Sequence, residues 1–201
     1  MTKKNSYHKY VFNKSKRKFI GNFEGMYLNE DIDPWHSSDL SNSVKKIHAA
    51  MLGNYNFNTI LDYGCGKGAF THLLKKNNNV VSGVDISSNA IIKAKQMYGH
   101  LVDFSTLAEK KWQNKKYDLI VCLEVLSYVK QYKQLLETFS IMGGGGGYLY
   151  LSLYIPKNPI GYVKNFEELI KQVNLFYTIN SKIIYNDESI FLFAKSNQYA
   201  K

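Results

Sequence analysis

The chain has 201 residues, 45% apolar and 21% charged, enough for one domain with a buried core. No apolar run approaches the ~18 residues of a membrane helix, and the lysine-rich N-terminus lacks the apolar segment of a secretory leader, so a cytoplasmic location is expected. Two cysteines, Cys65 and Cys122, argue against a disulfide framework and lack metal-ligand spacing, so no metal is expected.

The net charge of +10 is unevenly spread. Residues 1–20 hold Lys3, Lys4, Lys9, Lys14, Lys16, Arg17 and Lys18 with no acid, which leaves only +3 for the rest. Arg17 is the sole arginine, whereas arginine is the favoured side chain for bidentate phosphate and base contacts. The charge therefore reads as a flexible basic tail over 1–20, and nucleic acid as an unfavoured partner.

Next comes a mixed aromatic and acidic stretch, "GNFEGMYLNEDIDPWHSSD". A helix is expected after it, capped by Asp39 or Ser41, with Val44, Ile47 and Met51 on one face and Gly53 as its stop. From Phe57 strands and helices alternate. "NTILDYG" reads as a strand, and "AFTHLLKK" as a helix with Phe70, Leu73 and Leu74 inward. "NVVSGVDI" is the next strand, followed by a helix capped at Ser87 or Ser88 and closed by Gly99. "HLVDF" and "YDLIVCLEV" are strands three and four, the latter apolar throughout as if buried on both faces. A helix over "YVKQYKQLLETFSIM", a strand "YLYLSLYI" and a helix "NFEELIKQVN" follow. "FYTINSKIIYN" and "SIFLFAKS" close the chain as two strands turned at Asp187 and Glu188. Such alternation predicts a doubly wound, mostly parallel sheet with right-handed crossovers. The last connection is too short for a crossover, so one strand must run antiparallel.

The segment "ILDYGCGKGAF" carries the chemistry. A phosphate-binding P-loop is rejected: Gly66-Lys67 is followed by Gly68, not Ser or Thr, and the spacer is missing. Gly64, Gly66 and Ala69 formally match a dinucleotide loop. Gly64, Gly66 and Gly68 behind Asp62 match in full the loop of class I S-adenosylmethionine-dependent methyltransferases. A carboxylate at 62 would repel a pyrophosphate but helps to hold an ammonium, which favours the methionine-bearing cofactor. Asp85, closing the second strand, suits two ribose hydroxyls in either nucleotide family. Asp103, read as closing the third strand, is positioned for the adenine amino group. "YDLIVCLEVLSYV" is similar to the fourth strand of small-molecule methyltransferases.

From about residue 57 to 195 the chain thus resembles the class I methyltransferase family. The resemblance implies a Rossmann-like seven-stranded α/β fold with helices on both faces. It also implies methyl transfer from S-adenosylmethionine, leaving S-adenosylhomocysteine. The implied cofactor residues are Asp62, Gly64, Cys65, Gly66, Gly68, Asp85, Ile86, Asp103, Phe104 and Leu123. The plainer alternatives are a helix-cap partner for Asp62 and a simple strand end for Asp103. Two departures stand out: Ser127-Tyr128 where many relatives have Glu-His, and Gly143–Gly147 where many have Lys-Pro-Gly-Gly.

"CLEVLS" lacks the proline pair of base-amine methyltransferases. The stretch from Phe23 to Trp35 (Phe23, Glu24, Met26, Tyr27, Asp33, Pro34, Trp35) resembles the N-terminal segment of nodulation-factor and polysaccharide-cluster methyltransferases. That implies an amino-sugar or saccharide acceptor, with Tyr27, Trp35 and His36 binding it, unless the aromatics simply pack on the sheet edge. Candidate bases are His36, Tyr128 and Glu124, with Glu124 ranked last because it can instead line the cofactor's methionine end. The expected organisation is the tail over 1–20, a lid over 21–56 and the catalytic core over 57–201, as a monomer or homodimer without a membrane partner. The rival readings are an RNA methyltransferase using the lysine-rich tail and an NAD-dependent oxidoreductase.

Overall fold

The structure is a computed structural model, described here for residues 8–28 and 43–197. A small N-terminal unit comprises α1 (His8–Val11), a two-stranded hairpin of β1 (Phe12–Asn13) and β2 (Lys18–Phe19), and α2 (Phe23–Leu28). Helix α3 (Ser43–Leu52) leads into the main sheet. Its strands are β3 (Thr59–Tyr63), β4 (Val80–Asp85), β5 (Asp103–Thr106), β6 (Leu119–Leu123), β7 (Tyr148–Tyr154), β8 (Tyr177–Tyr185) and β9 (Ser189–Ser196). The remaining helices are α4 (Ser88–Tyr98), α5 (Tyr132–Gly143) and α6 (Phe166–Val173).

The seven strands lie in the order β5-β4-β3-β6-β7-β9-β8. Strands β3 to β7 pair parallel, and β9 alone is reversed, inserted antiparallel between β7 and β8. The doubly wound fold with one reversed strand is as expected. The turn at 186–188 explains the reversal, with Asn186 and Asp187 both at positive φ. Alternation along the strands serves two buried faces. Leu149, Leu151 and Leu153 of β7 join α5 and α6 on one side, while Tyr150 joins the other with Ile60, Val121 and Phe193.

The expected flexible tail differs from what the residues do from His8 onward. Val11 and Met26 are fully buried, beside Tyr27 and Ala90 of α4, with Phe12, Phe19 and Phe23 packed around them. Burying side chains of this size is worth about 1.5–3 kcal/mol each, which outweighs the lysines that suggested a tail. Lys14, Lys16, Arg17 and Lys18 sit exposed at the hairpin turn. Glu24 fastens this unit to the core: Asn89 Nδ2 donates to one carboxylate oxygen at 2.9 Å, and Ser87 Oγ and the Asn89 N–H donate to the other. A carboxylate at the N-terminus of α4 also meets the positive end of the helix dipole.

The helix expected over "AFTHLLKK" shrinks to one 3-10 turn, Thr71–Leu74, with Leu74 buried but Leu73 47% exposed. Asn79 ends it. Its amide nitrogen donates to the Leu74 carbonyl and its amide oxygen accepts from the Lys76 N–H, closing the turn locally. The glycine run ends α5. Gly144 stands at φ +56°, and a Cβ on Gly147 would lie 2.4 Å from the Gly143 carbonyl oxygen. Nothing in the structure gives the run a functional role.

Candidate active site

The C-terminal ends of β3, β4 and β6 open into a cavity of about 520 Å³. Open α/β sheets place ligand crevices at this edge. Its walls include the glycine loop, Asp62, Asp85, Ile86, Leu107, Leu123, Glu124 and Tyr128. Phe23 and Tyr27 of α2 and Val44 and His48 of α3 close it from the N-terminal side.

The loop after β3 is held open for close approach. Gly64 has φ +82°, and a Cβ there would lie 2.2 Å from Val125 Cγ2. Gly66 has φ +54°, and its Cβ would meet the Tyr27 hydroxyl at 2.7 Å. Both conformations cost an L-residue strain in addition to the collision. Gly68 serves packing instead: its Cβ would strike the Phe104 ring at 2.7 Å, and Gly68 does not line the cavity.

Two carboxylates flank this loop. Asp85 accepts from the Gly66 N–H at one oxygen and from the Ser87 N–H at the other, both at 2.9 Å. It therefore ties the glycine loop to the start of α4 while facing the cavity. Burial raises its pKa, against the lowering by these bonds. Asp62 is 3% exposed and accepts from Thr71 Oγ1 at 2.7 Å. Burial is the main cause that lifts its carboxyl to about 7, with the Thr71 bond opposing and the neighbouring Asp85 charge adding. A buried carboxyl with a raised pKa on a cavity wall is a candidate functional group.

Glu124 follows β6 at φ +61°. Ser152 Oγ donates to one of its oxygens at 2.8 Å and the Tyr154 N–H to the other at 2.7 Å. Its pKa is raised by burial. Both oxygens are engaged, so Glu124 acts as a strap across the tops of β6 and β7. Tyr128 stands in an aromatic cluster over the cavity, stacked on Phe19 at 5.9 Å and edge-on to Phe23 at 5.3 Å.

Several expected positions fall elsewhere. Asp103 begins β5 rather than ending it: it pairs with Ser82, is exposed and forms an ion pair with Lys115 at 3.5 Å. It lies in a different groove from the cavity. The short strand runs on through Thr106, so its C-terminal end presents Leu107 instead. Phe104 is buried beneath the loop and supports Gly68 rather than lining the cavity. Tyr27 stands against Gly66, on the loop side of the cavity. Asp33, Pro34, Trp35 and His36, and the proposed caps Asp39 and Ser41, lie outside the described residues. Cys65 and Cys122 are free thiols, both pushed up by burial, which fits packing rather than nucleophilic chemistry.

Two site residues escaped the sequence reading. Thr71 needed the fold to bring it under Asp62. His48 was legible in principle: it is four residues after Val44, on the same helical face. It is 4% exposed, and its Nδ1 lies 2.8 Å from the Tyr150 hydroxyl. Phe70, Tyr150 and Phe191 surround its ring at 5.3–5.6 Å.

A family model described as a methyltransferase domain matches residues 36–169. The chain belongs to this methyltransferase-domain family. Among curated relatives, nodulation protein S of Azorhizobium caulinodans is 32% identical over 109 residues, covering 51% of this chain and 52% of that one. Ubiquinone biosynthesis O-methyltransferase of Nitrosomonas europaea is 24% identical over 119 residues, 56% of this chain and 50% of that one. The chain thus matches about half the length of these relatives. In fold, this methyltransferase-domain protein is similar to the N-methyltransferase NodS of Bradyrhizobium japonicum WM9, solved with S-adenosylhomocysteine. The TM-score is 0.67 at 19% identity, over 86% of this chain and 95% of that one. It also matches magnesium protoporphyrin IX methyltransferase of Synechocystis PCC 6803 with a TM-score of 0.58 at 21% identity, over 80% and 83% of the two chains. Among the described residues no helix is long and apolar enough to cross a membrane.

Proposed function

We propose that this chain is an S-adenosylmethionine-dependent methyltransferase of a small acceptor, an amino-sugar or saccharide methylated on nitrogen or oxygen. The observation that carries the cofactor half is the pair of buried carboxylates, Asp62 and Asp85, on either side of a glycine loop that admits no Cβ. Asp85 holds the ribose hydroxyls on lone pairs that Gly66 and Ser87 leave available. Asp62 receives the amino-acid ammonium, and that cation draws its proton off. Ile86, Leu107 and Leu123 give the adenosine an apolar bed, and Tyr27 closes over the loop. When bound, S-adenosylmethionine supplies a methyl group on a sulfonium, activated without help from the protein.

The chain's part is then to orient the acceptor, exclude water and remove a proton. The N-terminal unit and α3 act as the lid, since Phe23, Tyr27, Val44 and His48 all line the cavity. Phe23 and Tyr128 offer aromatic faces for a sugar ring. The acceptor class rests on the resemblance of the 23–35 stretch and on the nodulation relative, and the ubiquinone relatives keep oxygen as an alternative target atom. The test is transfer of labelled methyl from S-adenosylmethionine to deacetylated chitin oligomers, a catechol and bulk RNA. Label in the oligomers alone supports the reading. Label in RNA alone, or in the catechol alone, overturns the acceptor assignment.

A further inference from the structure

The acids and the bases around the cavity differ in depth. The acids of its wall are Asp62, Asp85 and Glu124. Asp62 and Asp85 are buried, the first bonded to Thr71 and the second to the Gly66 and Ser87 N–H groups. Glu124 has both oxygens engaged by Ser152 and Tyr154. Asp62 and Asp85 are also the two residues assigned above to the cofactor. The rim carries the opposite sign. Lys130 lines the cavity two residues after Tyr128 and is exposed. Against Tyr128 packs the β1–β2 hairpin, with the Phe12 and Phe19 rings 5.8 and 5.9 Å from the Tyr128 ring.

Chain order brings four further cations to this place. Phe12 pairs with Phe19, Asn13 pairs with Lys18, and residues 14–17 close the turn. Lys14, Arg17 and Lys18 are thus at most two residues, roughly 7 Å of extended chain, from the rings that meet Tyr128. Lys16 is at the tip. The turn is held in place: Asn13 Oδ1 accepts from Ser15 Oγ and from the Lys16 N–H, both at 2.9 Å, and the Arg17 N–H donates to the Lys14 carbonyl at 3.3 Å. All four cations are exposed, and among the described residues no acid pairs with them or with Lys130. A positive rim around a wall whose acids are withdrawn repels an ammonium and draws in an anion.

We propose that the acceptor is a saccharide carrying a phosphate or diphosphate group, held by the β1–β2 turn and Lys130 while the sugar lies against Phe23 and Tyr128. This rests on the methyltransferase reading above and narrows its acceptor. Lysines hold phosphate as point charges and do not fix its orientation, so the aromatic faces are left to place the ring. One hairpin turn and one lysine suit a single phosphate group, whereas a nucleic-acid backbone calls for a longer basic stripe.

The test is calorimetry on the S-adenosylhomocysteine complex with glucosamine, glucosamine 1-phosphate and inorganic phosphate, each at about 50 and about 300 mM salt. The ester should bind about tenfold or more tighter than either glucosamine or inorganic phosphate at the lower salt, and the gap should narrow at the higher. Lys16→Glu with Arg17→Glu, and separately Lys130→Glu, should cut the preference for the ester over glucosamine by about threefold or more. Lys16→Gln with Arg17→Gln removes charge without reversing it, should give a smaller loss in the same direction, and serves if the Glu variant fails to fold. Equal affinity for ester and glucosamine overturns the proposal, as does inorganic phosphate binding as tightly as the ester. So does a preference for the ester that survives the turn substitutions. Salt-sensitive binding of single-stranded RNA or of phosphatidylglycerol vesicles, abolished by the turn substitutions and without binding of the ester, assigns the turn to a macromolecule or a membrane and also overturns it. Failure of S-adenosylhomocysteine itself to bind is a separate outcome, which removes the cofactor assignment.

Discussion

The raised pKa of Asp62 makes cofactor affinity pH-dependent in a predictable sense. Its carboxyl titrates near 7 because burial is only partly offset by the Thr71 hydroxyl. On the proposed reading, the cofactor's ammonium binds the ionised form. At pH 6 about nine-tenths of Asp62 is protonated and at pH 8 about one-tenth. Affinity for S-adenosylhomocysteine should therefore rise about tenfold over that interval, or about 1.4 kcal/mol. Asp85 and Glu124 are raised too, so the control is Asp62→Asn, which removes one titration and keeps the shape. The variant should bind more weakly at pH 8 and lose most of the slope. Stability without ligand moves the opposite way. An acid raised from 3.8 to about 7 contributes stability that is present at low pH and lost as pH rises through 7. The loss is about 4 kcal/mol at most. Thermal melts of wild type minus those of Asp62→Asn should thus fall between pH 5 and 8. Calorimetry at pH 6, 7 and 8 decides the matter: a flat wild-type affinity, or an Asp62→Asn protein with the same slope, refutes the assignment of Asp62 as the ammonium receptor.

Asp85→Ala should weaken S-adenosylhomocysteine binding by about 1.5–3 kcal/mol by calorimetry, because it deletes the proposed ribose acceptor and also frees the Gly66 and Ser87 N–H groups it holds. Gly64→Ala should abolish measurable binding in the same assay, since its Cβ would collide with Val125 at positive φ. Asp103→Ala should leave binding unchanged, as Asp103 is exposed and outside the cavity. Glu24→Gln should lower stability by about 1 kcal/mol in denaturant melts by weakening the cap on α4.

The strand–helix alternation made the fold legible, and the glycine loop with the resemblance it carries pointed to most of the cavity wall. Where the reading failed, the cause was local. Lysines at the β1–β2 turn disguised an ordered unit whose apolar residues are interleaved with the charge. Asn79 cut a helix to one turn. A strand of four residues put Asp103 at its start instead of its end, a shift that pattern reading cannot resolve in so short an apolar run. Long-range partners such as Glu24 with Asn89, Thr71 with Asp62 and His48 with Tyr150 exist only after folding, which is why α3 read as an apolar face and not as a wall of the site.

The most direct measurement for the account as a whole is a calorimetric comparison of S-adenosylhomocysteine with NAD at pH 8. Asp62 and Asp85 flanking the glycine loop predict micromolar or tighter binding of the first, about 8 kcal/mol or more, and none of the second. Binding of NAD with none of S-adenosylhomocysteine would contradict the account at its centre.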